Sequence, residues 1–221
     1  MTAPFRVLFL DLDDTLYPST TGLWAAIGVR IERYMVEVAG VPAEQAPGLR
    51  DDYFHRYGTT LTGLRLHQGI DPLDYLRFVH AIPVEDYLQP DLTTRAVLAS
   101  VPLKKIVLTN ADRWHAARVL GRLGLTEVID QVVDIMDLDW VHKPAEEAYR
   151  RALALAGETE ARACLLLDDL ARNLKPAAQM GMTTVLVGSK DPSTEAHFHM
   201  GTMHDLPGVF RSLGIASSPV G

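Results

Sequence analysis

Cysteine is almost absent from this 221-residue chain. Cys164 stands alone, so no intramolecular disulfide can form, which suits a reducing compartment. It lies inside the apolar run 163–167 and reads as a small buried hydrophobe. Positive charge is also short. Lys and Arg number 21 against 28 Asp and Glu, a formal net charge of -7. That balance disfavours a broad basic face for a nucleic-acid polymer or an anionic membrane, but still allows one local positive site for a small anion. No stretch of about 20 apolar residues exists, so no transmembrane helix is expected. Residues 1–4 carry no basic region, and the apolar run after them soon ends in acids, so no signal peptide is expected and a cytoplasmic location is the default. Internal repeats and low-complexity segments are missing as well. What remains, 48% hydrophobic and 22% charged residues, is the composition of an ordinary globular protein with one or two domains. Nothing in it decides between a monomer and a homodimer.

Short apolar runs at 7–10, 105–108, 163–167 and 183–187 read as buried strands, with 131–135 a weaker fifth. Between the last four lie helical patterns at 112–123, 144–156 and 170–180, with Gly124, Gly157 and Gly181 where C-caps belong. The alternation predicts right-handed βαβ units, hence an α/β fold with a doubly wound parallel sheet. Residues 17–94 break the rhythm. They show helical patterns at 23–39, 43–57 and 72–79, and Ile27, Ile31, Tyr34, Met35 and Val38 form one apolar stripe. The expectation is a core of 1–16 plus 95–221 with a small α-helical cap, 17–94, inserted after the first strand. The alternation around His197, His199 and His204 reads as a late edge strand rather than a metal site. Residues 216–221 are expected to fray.

Three strand runs end in polar groups: Asp11 and Asp13 after the first, Thr109 and Asn110 after the second, Asp168 and Asp169 after the fourth. In a doubly wound sheet these ends open on one edge, where ligands bind. Crowded carboxylates repel one another, so a divalent cation is the simplest thing to hold them, and hard oxygen donors suit Mg²⁺. Lys143, followed by Pro144, adds a cation. Such a set makes a site for phosphate. A carboxylate beside a metal can serve as nucleophile and form an aspartyl-phosphate, and a second carboxylate can protonate the leaving oxygen.

The set Asp11-x-Asp13-x-Thr15, Thr109-Asn110, Lys143-Pro144 and Asp168-Asp169 resembles the four motifs of the haloacid dehalogenase superfamily, in order and in strand-end setting. The resemblance implies Asp11 as nucleophile and Asp13 as general acid/base. It implies Mg²⁺ on the Asp11 carboxylate, the Asp13 backbone carbonyl and Asp169, with Asp168 holding water on the metal. Thr109 and Lys143 would bind the phosphoryl group and Asn110 would help to position it. The insert resembles the α-helical cap of subfamily IA. Tyr57-Gly-Thr-Thr-Leu61, Asp74-Tyr-Leu-x-Phe-Val-His80, Thr109-Asn-Ala-Asp-x-x-His115-Ala-x-Arg118 and Asp169-x-x-x-Asn173 resemble the pyrimidine 5′-nucleotidase-like branch. The implied substrate is a small phosphorylated metabolite such as UMP or CMP. Pyridoxal phosphate and sugar phosphates compete. A phosphomutase, a dehalogenase and a non-catalytic binding protein are the further rivals.

Several residues keep two readings. Asp14 is a member of the site or a turn acid. Thr15 braces the loop or touches phosphate. Arg113 and His115 contact substrate or simply begin a helix. In the insert, Tyr57, Thr59, Thr60 and His67 line a specificity pocket or pack their own helices.

Overall fold

The computed structural model describes residues 5–188 and 195–217. The expectations for residues 1–4 and for the end of the chain at 218–221 lie outside the described residues. In chain order the elements are β1 (Val7–Leu10), α1 (Leu23–Glu37), α2 (Ala46–Tyr57), α3 (Thr60–Gln68), α4 (Pro72–Val79), α5 (Leu92–Ala99), β2 (Lys104–Leu108), α6 (Arg113–Leu123), β3 (Gln131–Val133), α7 (Glu146–Ala156), β4 (Cys164–Asp168), α8 (Ala171–Gln179), β5 (Thr183–Val187), β6 (Phe198–Met200) and α9 (Leu206–Ser212). The strands form one sheet in the order β3-β2-β1-β4-β5-β6, and every neighbouring pair is parallel. This is the predicted doubly wound α/β architecture. Its strands are apolar runs because both faces are covered: all of β1 and β4 is buried, Cys164 included.

The order reverses at β1, which pairs β2 on one side and β4 on the other, with Leu10 opposite both Val107 and Leu167. That register sets Asp11 beside Asp168 and brings the tips of three strands together, the usual crevice of an open α/β sheet.

Element ends moved where side chains intervene. Asp112 is the N-cap of α6, accepting from the Trp114 and His115 amides, so the helix starts one residue later than expected. β3 stops at Val133 because Asp134 turns the chain, accepting from the Met136 and Asp137 amides. Gly124 and Gly157 are C-caps in the left-handed conformation, as the sequence implied. β6 exists, and two histidines near it face different partners: His197 bonds the Thr184 hydroxyl and His204 bonds Asp91.

The chain divides into two compact units, 1–21 with 88–221, and Gly22–Tyr87. The smaller is all helical. Its centre is the buried Tyr34, edge-on to Tyr75 and Phe78 with its hydroxyl on Asp74. Val38 does not join the apolar stripe: α1 ends at Glu37, and Val38 is 50% exposed. Helix α3 carries no strong periodic signal and was missed. Helix α5, part of which the expected 17–94 insert included, belongs to the larger unit, and its N-cap Asp91 pairs with His204. Among the described residues, no helix is long and apolar enough to cross a membrane.

Candidate active site

Three strand tips and one loop build a buried polar cluster in the larger unit. Asp11 follows β1, Asp168 ends β4, and Asp169 follows it. Carboxylate oxygens of all three lie within 4.8 Å of one another. Lys143 is 1% exposed and places Nζ 2.7 Å from Asp11 Oδ1 and 2.7 Å from Asp168 Oδ2. The other Asp11 oxygen accepts from the Thr15 hydroxyl at 3.0 Å. So Thr15 braces the loop, one of its two expected roles.

The lysine is held by its backbone. Asn110 donates its side-chain amide to the Lys143 carbonyl and accepts the Lys143 amide in return, at 3.0 and 2.9 Å. Both amide groups of Asn110 are therefore engaged with that backbone. Thr109 is buried, its hydroxyl accepting from the Ala111 amide. Asp168 is fixed by Asn173 Nδ2 at 2.9 Å and by the Leu170 amide at 2.9 Å. Tyr149 holds the Asn173 carbonyl in turn, at 2.6 Å.

Asp13 faces other partners. Its Oδ1 accepts from the Tyr17 hydroxyl at 2.6 Å and meets His115 Nε2 at 2.8 Å. His115 is fully buried, so it is not the surface residue that one reading of its helix-start position allowed. Tyr17 is a site residue that the sequence reading did not single out. Its one signal was its position, four residues after Asp13, and burial beside Asp13 pushes its hydroxyl pKa well up. Arg113 departs from the substrate-contact expectation. Its guanidinium is committed to Asp134 at 2.8 Å and Asp137 at 2.8 Å. In the helical unit, Tyr57 bonds His67 at 2.8 Å, Thr59 caps α3, and the buried Thr60 donates to the Arg50 carbonyl. These four make local contacts within their own unit.

Electrostatics mark the acid cluster. Burial, with repulsion from Asp168 and Asp13, outweighs Lys143 and lifts Asp11 to about 7. Burial, with Asp11 and Asp168, lifts Asp169 to about 8. Burial and Asp13 lift Asp14 to about 6, and its buried Oδ1 has no hydrogen-bond partner. Asp14 also sits at φ 58, in the left-handed region that few side chains adopt. Burial opposes the Lys143 charge, yet Asp11 and Asp168 more than offset it and hold the lysine firmly protonated. One lysine does not neutralise three carboxylates. Hard carboxylate oxygens are the donor type that a divalent cation such as Mg²⁺ takes.

Comparison with known proteins agrees with this fold. The model of the haloacid dehalogenase-like hydrolases matches residues 5–181. Phosphate metabolism protein 8 of Saccharomyces cerevisiae is 26% identical over 195 residues, and the match covers 82% of this chain but only 61% of the yeast protein. In fold, the chain is similar to a HAD phosphatase of Thermococcus onnurineus (TM-score 0.65, 16% identity, 97% and 100% of the two chains covered). It is also similar to the magnesium-bound HAD-hydrolase YfnB of Bacillus subtilis (TM-score 0.61, 15% identity, 96% and 100% covered). With the motif order, the sheet topology and the family match in agreement, the chain belongs to the haloacid dehalogenase-like hydrolases.

Proposed function

We propose that the protein is a Mg²⁺-dependent phosphomonoesterase working through an aspartyl-phosphate on Asp11. The observation that carries this is the division of labour between two carboxylates two residues apart. Asp11 is bridged by Lys143 to Asp168, while Asp13 is turned to Tyr17 and His115. Carboxylates placed in different surroundings serve different roles. Asp11 attacks phosphorus, forming an O–P bond as the ester P–O bond breaks, and Asp13 gives its proton to the departing alkoxide. Asp13 then takes a proton from water, whose oxygen displaces Asp11 from phosphorus. Lys143 and Thr109 bind the phosphoryl oxygens, and Asn110 positions Lys143. Asp11, the Asp13 backbone carbonyl and Asp169 would hold Mg²⁺, with Asp168 orienting its water, and the ion would supply charge that offsets the transferring phosphoryl group. A dehalogenase needs neither Asp13 nor the Asp168-Asp169 pair, so those residues favour the phosphatase.

We assign substrate choice to the helical unit, which departs from the core directly after the acid-bearing loop. A pyrimidine nucleoside 5′-monophosphate is the preferred substrate. The Tyr53, Tyr57 and His67 rings, clustered with centroids 5.3 to 5.8 Å apart, support a unit that reads a planar group. The name of the yeast relative agrees with phosphate chemistry in general. The test is phosphate release, with and without EDTA, from UMP, CMP, AMP, pyridoxal phosphate, sugar phosphates and an aryl phosphate. Metal-dependent release with UMP or CMP fastest is expected. Silence on every phosphomonoester, or metal-independent halide release from a 2-haloacid, would overturn the reading.

A further inference from the structure

A histidine in the first turn of a helix ordinarily faces water. His115 is instead completely buried, and its Nε2 lies 2.8 Å from a carboxylate 102 positions earlier in the chain. The approach is braced from several sides. Asp112 caps the helix by accepting the His115 amide at 2.8 Å, and Arg113 ties the same turn to Asp134. The Ile135 amide holds the Ala111 carbonyl at 3.2 Å. From the other side, Tyr17 is 3% exposed and points its hydroxyl at the same oxygen, 2.6 Å away. With Asp13 ionised its carboxylate only accepts, so His115 presents Nε2–H and both neighbours donate to Oδ1; the proton that Asp13 transfers is carried on its other oxygen. An aspartate side chain rotates about two bonds. Two rigid donors on one oxygen fix both rotations.

We propose that Tyr17 and His115 are positioning residues that lock the Asp13 carboxylate for proton transfer to the leaving group. This rests on the reading of Asp13 as the general acid. Proton transfer falls off steeply when donor and acceptor are misaligned, and a positioned acid is worth about 100- to 10,000-fold. The need for that acid depends on the leaving group: an alkoxide needs the proton, whereas a nitrophenolate departs without it.

The experiment measures kcat/KM, which reports the steps through leaving-group departure, for a series from alkyl phosphates to p-nitrophenyl phosphate with Mg²⁺ present. The variants are Tyr17→Phe, His115→Phe and His115→Gln, beside Asp13→Asn. Tyr17→Phe and His115→Phe should each lower kcat/KM for the alkyl ester by about 10- to 100-fold, and by at least about tenfold less for the nitrophenyl ester. His115→Gln, which keeps an N–H donor at similar reach, should recover most of the alkyl-ester rate. Tyr17→Phe removes one hydroxyl only and keeps the test alive if His115→Phe does not fold. Equal losses on all esters, or no loss, would overturn the clamp while Asp13→Asn still showed the steep dependence. A flat Asp13→Asn series would instead bring down the acid role itself, and the clamp with it.

Discussion

The acid cluster of the larger unit and the surface of the helical unit use charge in opposite ways. In the cluster, charged side chains are buried and find partners far along the sequence: Lys143 bridges Asp11 and Asp168, 132 and 25 positions away. In the helical unit, the pairs Arg33–Glu37 and Arg56–Asp52 are four residues apart and largely exposed. Its interior relies on rings instead, Tyr34 against Tyr75 and Phe78. Burying charge costs stability, and buried pairs are often no better than apolar replacements. A cluster that buries two acids and a lysine, with Asp169 half-buried beside them, is thus better explained by chemistry than by folding. If the comparison is sound, substitutions in the cluster will remove activity or change its response to metal and pH. Substitutions at the packed helix contacts and surface ion pairs of the helical unit will act through stability.

The largest effect should come from Asp11→Asn. It removes the nucleophile and one ligand for the metal, so turnover should fall by several orders of magnitude in phosphate-release assays. The fold should persist, because the lost carboxyl was unfavourably buried. Near-wild-type turnover in well-folded Asp11→Asn would end the covalent mechanism. Lys143→Met should come next. It strands two buried carboxylates, a loss of about 3–5 kcal/mol in a metal-free urea melt. An unchanged melt would mean that the lysine does not pay for the burial of Asp11 and Asp168.

Titration sharpens the contrast further. Asp11 and Asp169 are raised to about 7 and about 8 from an ordinary 3.8. Between about pH 4 and pH 8 the folded state therefore binds more protons than the unfolded chain. Stability of the metal-free protein should fall as pH rises through that window and level off above it. Mg²⁺ competes with those protons, so the rise in Tm it produces should be larger at pH 8 than at pH 6. A Mg²⁺ effect that does not change with pH would remove these acids from the metal site.

Much of this was legible before any coordinates. Buried strands are simple apolar runs, so the tips bearing Asp11, Thr109 and Asp168 could be placed, and the alternation with helices dictated the parallel sheet. The partners of those tips were harder to see. That His115 meets Asp13 follows only once β1 and β2 are known to be neighbours, and sequence offered just a histidine at a helix start. Arg113 near a site invites a substrate, yet Asp134, 21 positions on, takes it. Helix α3 escaped because Thr60, Gly63 and His67 interrupt its apolar face, and its signal lies in packing. A Cβ on Gly63 would stand 2.2 Å from Tyr53 Cγ, so the glycine is what lets α3 lie against α2.

That contact gives a test within the helical unit. Gly63→Ala should destabilise by about 1–3 kcal/mol despite the better helix propensity of alanine, because Tyr53 Cβ and the chain behind it must move. A more stable Gly63→Ala variant would show that the two helices have room.

The smallest effect belongs to Arg56→Ala. Arg56 pairs with Asp52 at 3.2 Å one turn away, and its side chain is 65% exposed. Water screens such a pair, and holding a long side chain in one geometry costs entropy, so the loss in a urea melt should be close to nil and shrink further in salt. Arg56 also lies over the Tyr57 ring, 5.7 Å from its centroid. A larger, salt-insensitive loss in a melt of Arg56→Ala would therefore mean that this arginine supports the Tyr57–His67 aromatic cluster. The exposed charge on α2 would then do more than pair one turn away.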